Sequence, residues 1–122
     1  MSERIFKRKI YSKLKEWKEN SNGKSALLLE GARRIGKSTV VEEFGQKEYR
    51  SYILIDFNEA SKGVKDLFDD LMDMDYIFLY LQNVYKTTLY ERESVIIFDE
   101  VQQCPKARQA IKYLVKDGRY DI

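Results

Sequence analysis

The stretch LLLEGARRIGKSTVVEEF, Leu27 to Phe44, decides how this chain is expected to fold. It opens on an apolar run, passes Gly31 and Gly36, and continues through Lys37 and Ser38 into a segment with Val40, Val41 and Phe44 at inward helical positions. The spacing satisfies G-x-x-x-x-G-K-[ST], immediately after a predicted strand and immediately before a predicted helix. That layout suits phosphate. Glycines let the backbone wrap closely around phosphate oxygens, successive N–H groups form an anion nest, and the helix start adds its positive end.

The expected nucleotide-binding segment is therefore Gly31, Ala32, Arg33, Arg34, Ile35, Gly36, Lys37, Ser38 and Thr39. Lys37 is expected to bridge the β- and γ-phosphates, and the Ser38 hydroxyl to bind Mg²⁺. Thr39 is expected to begin the helix packing or to bond an α-phosphate. Arg33 and Arg34 read as solvent-exposed loop arginines, with phosphate or a neighbouring subunit as their other destinations.

Outward from this loop, "SALLLE", "YILID" and "SVIIFDE" are short apolar runs without alternation, the pattern of strands buried on both faces. Helical segments separate them, so the expected architecture is α/β with a parallel sheet. The spacing predicts a helix from about Ser38 to Gln46, a second on the stripe Val64, Leu67, Phe68 and Leu71, and a third on Ile77, Leu81 and Val84. A fourth is expected from Pro105, buried through Ala107, Ala110, Ile111, Leu114 and Val115, and stopped by Gly118. Before the loop, Phe6, Ile10, Leu14 and Trp17 share one face of a first helix. Seven basic residues lie between Arg4 and Lys18, and they read as a solvated face, with nucleic acid or lipid as the alternative partner.

The third strand ends in two carboxylates, Asp99 and Glu100, at the edge where parallel α/β sheets assemble ligand sites. Asp99 is expected to bind the metal through its water, and Glu100 to activate the attacking water. Asp56 ends "YILID" at the same edge, where it either joins the site or, with Asn58, caps a loop.

Composition narrows the chemistry. The chain has 122 residues, 43% of them hydrophobic, which suits one domain with a real core. Its formal charge of +2 favours neither nucleic acid nor membrane. The longest apolar run, Tyr76 to Leu81, is far below the roughly 20 residues a membrane helix needs, and a cytoplasmic location is expected. With one cysteine, Cys104, and no histidine, the chain has no internal disulfide, no ordinary Cys/His zinc site and no histidine acid-base catalysis. Carboxylates, lysine, hydroxyls or a borrowed metal must do the work.

Taken together, "LLLEGARRIGKST", "YILIDF" and "VIIFDEVQQCPKARQAIKYLVKDG" resemble the bacterial and archaeal AAA-type ATPases that carry a C-terminal domain of uncharacterised role. Gly31, Arg33, Gly36, Lys37 and Ser38 match that family's G-x-R-x-x-G-K-[ST], and Asp99, Glu100, Val101, Gln102 and Pro105 match its D-E-[IV]-Q-x-x-P. The resemblance implies a three-layer αβα P-loop NTPase core over residues 1–122, with ATP and Mg²⁺ as cofactors. It assigns Lys37 to phosphate, Ser38 and Asp99 to the metal and Glu100 to water, with a homo-oligomer as a possible assembly.

It also implies a further strand between the phosphate-loop strand and "VIIFDE". Only "RYDI", Arg119 to Ile122, begins such a strand, so a chain truncated before the fourth core strand is expected. Each inner backbone group left unpaired and away from water would cost about 1–3 kcal/mol. A stressed sheet or an altered strand order is the corresponding expectation. Three rival functions stay open: a nucleotide-binding module without turnover, a small-molecule kinase, and a GTPase-like switch, the last disfavoured because Asp99 is not followed by D-x-x-G spacing.

Overall fold

The computed structural model describes residues 2–21 and 37–122, with side chains described for 8–21 and 40–122. The predicted strand "SALLLE" and Gly31 to Gly36 lie outside the described residues. In chain order the elements are α1 (Ser2–Ser21), α2 (Lys37–Glu48), β1 (Ser51–Asp56), α3 (Lys62–Asp66), a 3₁₀ turn (Leu67–Asp69), α4 (Met74–Tyr85), β2 (Ser94–Asp99), a second 3₁₀ turn (Val101–Gln103) and α5 (Pro105–Asp117).

β1 and β2 pair in parallel, with Ser51 opposite Ser94 and Asp56 opposite Asp99. The start of this pairing is fixed by polar contacts. The Ser51 and Ser94 hydroxyls lie 2.6 Å apart, and the Tyr90 N–H donates to Ser94 Oγ at 2.8 Å. Ser94 is fully buried, so these bonds satisfy a hydroxyl that water cannot reach. On the other edge of β2, Asp121 forms a parallel bridge with Val95. Its N–H donates to Ser94 O and its carbonyl accepts from Ile96 N–H. The expected strand start in "RYDI" therefore lies beside β2, on the edge facing away from β1.

The pleat sends alternate side chains to opposite layers. Ile53, Ile55 and Ile96 face a core built with Phe57, Val64, Phe68 and residues of α4 and α5. Tyr52, Val95 and Ile97 face the other layer, where Val40 and Phe44 of α2 pack under Leu14, Ile10 and Trp17 of α1. Ile10, Leu14 and Trp17 of the α1 stripe thus pack on α2, in keeping with a face expected to pack on the body; the Phe6 side chain lies outside the described residues. Arg8, Lys9, Lys13 and Lys15 of α1 are exposed. Lys18 turns back instead, donating to the Glu48 carbonyl at 2.9 Å, where a cation complements the negative end of α2.

Two helix expectations need correction. The stripe from Val64 to Leu71 is not one helix: α3 tightens into the 3₁₀ turn, and Asp70 is extended. Asp70 Oδ1 accepts from the Met72 N–H and Asp73 Oδ1 from the Tyr76 N–H, so local side-chain acceptors divert the backbone and restart it as α4. In α4 the inward residues are Ile77, Phe78 and Leu81, while Val84 is 43% exposed. The last turn packs Tyr85 and then reverses through left-handed Lys86. α5 starts on Pro105, buries Ala107, Ala110 and Leu114, and stops at Gly118 with φ 78°. No helix among the described residues is long and apolar enough to cross a membrane.

Gly45 is where α2 comes closest to the sheet. A Cβ there would lie 3.1 Å from Tyr52 Cβ and 3.4 Å from Ile97 Cδ1. Because Tyr52 Cβ is fixed to the β1 backbone, overpacking should outweigh the helix propensity gained. We expect Gly45→Val to be about 1–3 kcal/mol less stable in urea denaturation; equal stability would contradict the close approach.

At the starting end of the sheet, buried Asp121 binds buried Tyr49 and the exposed Arg92. Tyr49 donates its hydroxyl to Asp121 Oδ2 at 2.5 Å, and Arg92 pairs with Asp121 Oδ1 at 2.8 Å. Burial, then the hydrogen bond to Asp121 and its negative charge, pushes the Tyr49 phenol far up, while Arg92 pulls the other way. Burial and the Glu48 carboxylate push Tyr11 up to about 12. A phenol raised in the folded state stabilises the fold below the ordinary phenol value of about 10 and loses that contribution above it, because the unfolded chain ionises first. Urea midpoints should therefore fall as pH rises from about 10, and Tyr49→Phe should make that slope shallower by up to one proton. An unchanged slope would remove Tyr49 from the alkaline transition.

Candidate functional site

The candidate site is assembled by chain direction. α2 ends at Glu48 and β1 begins at Ser51, so only Tyr49 and Arg50 reverse the chain between them. A helix of 12 residues spans about 18 Å, and a strand of six about 20 Å. The start of α2 at Lys37 therefore lies toward the end of the sheet at which β1 and β2 finish. Asp56 and Asp99 stand at that end in register. By the two-residue alternation they project to the same face as Tyr52 and Ile97, which is the face covered by α2. Chain direction thus puts the start of α2 toward the same end of the sheet as Asp99.

Of the loop residues named from sequence, Gly31, Ala32, Arg33, Arg34, Ile35 and Gly36 lie outside the described residues. Lys37, Ser38 and Thr39 form the first turn of α2, with their side chains outside the described set. That turn carries no acidic residue, so nothing in it opposes an anion at the helix start.

Under the acidic edge is an aromatic floor. Phe57, Phe68 and Phe98 contact one another edge-to-face, with ring centroids 5.4–5.9 Å apart. Phe57 is fully buried, and its N–H donates to the Asp99 carbonyl at 3.0 Å, carrying the β1–β2 ladder one residue past the strand. Beyond Asp99 the backbone bends sharply. Glu100 is left-handed at φ 56°, ψ 40°, and leads into the turn Val101–Gln103. Val101, the first residue of that turn, and Cys104, which follows it, are buried and anchor it to the core.

Asp56 and Asp99 share the edge but differ in bonding. Asp56 Oδ1 accepts from the Asn58 N–H at 2.9 Å, and its carbonyl accepts from Glu59 and Ala60. Asp56 therefore folds its own turn, the loop role weighed from sequence. Its charge also reaches across the edge: burial first, and then Asp56, pushes the Tyr85 phenol up. Sequence reading gave Gln102 no role beyond matching a motif. In the structure its side-chain amide donates to Glu100 Oε2 at 2.5 Å. The available signal was an amide two residues past the acid, across a segment that turns rather than extends.

Parallel strands in register, a helix packed on one face of them and two carboxylates ending them on that face define an α/β protein with its candidate ligand site at the sheet edge. Over residues 23–122 the chain matches the family described as AAA domain, and it belongs to that family, a nucleotide-binding class. No curated protein and no solved structure matched it.

The left-handed conformation at Glu100 costs a side-chain residue roughly 1–2 kcal/mol that glycine avoids. Part of that gain is offset by the greater freedom of glycine in the unfolded chain, about 0.4–1 kcal/mol. Glu100→Gly should accordingly be more stable than Glu100→Gln by about 0.5–1 kcal/mol in thermal or urea unfolding, the difference of these two effects. The reverse order would mean that Glu100 does not hold this backbone conformation in solution.

Proposed function

We propose that this chain is the Mg-ATP-binding core of an AAA-type ATPase and hydrolyses the bond between the β- and γ-phosphates in the complete protein. The observation that carries this reading is that β1 and β2 end in register on Asp56 and Asp99, on the face that α2 covers, with chain direction running the start of α2 toward that end. Membership of the AAA domain family over residues 23–122 supports it.

In this reading Gly31 to Thr39 supply backbone N–H groups to the phosphates, and the Lys37 ammonium neutralises charge on the β- and γ-oxygens. Asp99 and the Ser38 hydroxyl are the hard oxygen donors that a small divalent cation prefers, and they would hold Mg²⁺. When bound, that ion draws negative charge from the phosphate oxygens. The Glu100 carboxylate accepts the proton of a water whose oxygen bonds to the γ-phosphorus while the bond to the bridging oxygen breaks. Arg33 and Arg34 remain available for phosphate or a neighbouring subunit.

Calorimetric titration with Mg-ATP, alongside Lys37→Ala, tests binding. Wild type should bind and the variant should lose at least about tenfold in affinity, the equivalent of roughly 1.4 kcal/mol. Phosphate release measured beside Glu100→Gln then separates hydrolysis from a binding module without turnover, and a search for a phosphorylated acceptor separates both from a small-molecule kinase. Folded wild type that fails to bind Mg-ATP would overturn the proposal.

A further inference from the structure

We infer that Gln102 is a positioning residue for Glu100. The inference rests on the ATPase reading above, because it assigns a task to the carboxylate that reading uses as a base. A carboxylate at the end of a flexible side chain is a poor base until its oxygens are aimed, since proton transfer needs heavy atoms within about 2.6–3.2 Å.

Three features aim this one. The left-handed backbone at Glu100 sets the direction in which its side chain leaves the strand end. The turn after it is closed by bonds from Gln103 N–H to the Glu100 carbonyl and from Cys104 N–H to the Val101 carbonyl. Val101 and Cys104 are buried at either side of Gln102, so the turn has little freedom to shift under it. The Gln102 side chain itself is exposed and spends its amide on Glu100 Oε2 at 2.5 Å.

A neutral amide suits this task. It donates without adding a cation that would compete for the carboxylate's proton-accepting electrons, and it orders one oxygen so that the rotation of the group is fixed. An exposed amide contributes little to the core, so its removal should leave the fold intact while loosening the base. The consequence belongs to turnover rather than to nucleotide affinity.

The test is a double-mutant cycle on steady-state phosphate release from Mg-ATP, with wild type, Gln102→Met, Glu100→Gln and the double variant, and calorimetric Mg-ATP binding measured on each. Methionine keeps the length and removes the donor. Gln102→Met should lower kcat on the order of tenfold, the lower end of what loss of an orienting partner costs, with KM and Mg-ATP affinity unchanged. In the Glu100→Gln background the same change should cost nothing further, because the group it orients is already gone. Equal kcat for Gln102→Met and wild type, or an undiminished loss in the Glu100→Gln background, would overturn the inference while leaving the ATPase reading in place. Absence of phosphate release from wild type that still binds Mg-ATP would overturn hydrolysis, and this inference with it.

Discussion

The register of β1 against β2 is the constraint on which the rest of the molecule depends. Side chains alternate with a period of two, so a slip of one residue would send Asp99 to the opposite layer and bring Phe98 to the α2 face. The register is held at both ends by different means. At the start, the Ser51 and Ser94 hydroxyls meet within the sheet and Tyr90 completes the bonding of Ser94. At the finish, Phe57 continues the ladder onto Asp99 while its ring joins Phe68 and Phe98 in the core. The Ser51 hydroxyl also donates to the Thr88 carbonyl at 2.6 Å, so a slip would chiefly deprive the buried Ser94 hydroxyl of a partner, at about 1–3 kcal/mol.

Polar groups are distributed unequally between the two ends of this sheet. At the starting end the buried acid is satisfied: Asp121 is 5% exposed and takes bonds from both buried Tyr49 and exposed Arg92. Such an arrangement locks the loop after α2, the turn before β2 and the segment after α5 into one unit. At the finishing end, Asp56, Asp99 and Glu100 are only partly buried and stand where backbone direction changes abruptly. Left-handed residues with side chains stand at both ends, Arg92 at the starting end and Glu100 at the finishing end. Strain retained beside carboxylates at a sheet edge is the expected trade when a side chain is needed more than a relaxed turn.

Much of this was legible in the sequence, and the exceptions have local causes. Unbroken apolar runs identified β1 and β2, and spacing identified the buried faces of α1, α2 and α5, because burial is a property of the residues themselves. Periodicity failed where short acidic side chains intervened: Val64, Leu67 and Phe68 are buried as spaced, yet Asp70 and Asp73 bond their own neighbouring N–H groups and cut the helix. Val84 failed differently, because a helical face remains buried only while something covers it. That Asp99 ends a buried strand at the sheet edge was legible from its apolar run, whereas the bond between Gln102 and Glu100 was not. That bond needs the left-handed bend at Glu100, and no residue preference announces a bend at a glutamate.

Asp56 and Asp99 show the same dependence on local backbone in chemical terms. Both end a buried parallel strand, both face α2, and they are paired residue for residue. The turns that succeed them set the two acids apart. After Asp56 the chain continues through Phe57 into a turn whose N–H groups at 58, 59 and 60 converge on Asp56, so this acid is committed to shaping its own loop. After Asp99 the chain bends at once through Glu100, and the first N–H to return, that of Gln103, is taken by the Glu100 carbonyl. The loop after β2 is therefore closed on the carbonyls of Glu100 and Val101. Two identical residues at equivalent positions thus precede turns that close differently: the turn after Asp56 converges on that acid's own side chain and carbonyl, whereas the turn after Asp99 closes one residue later, on the carbonyls of Glu100 and Val101.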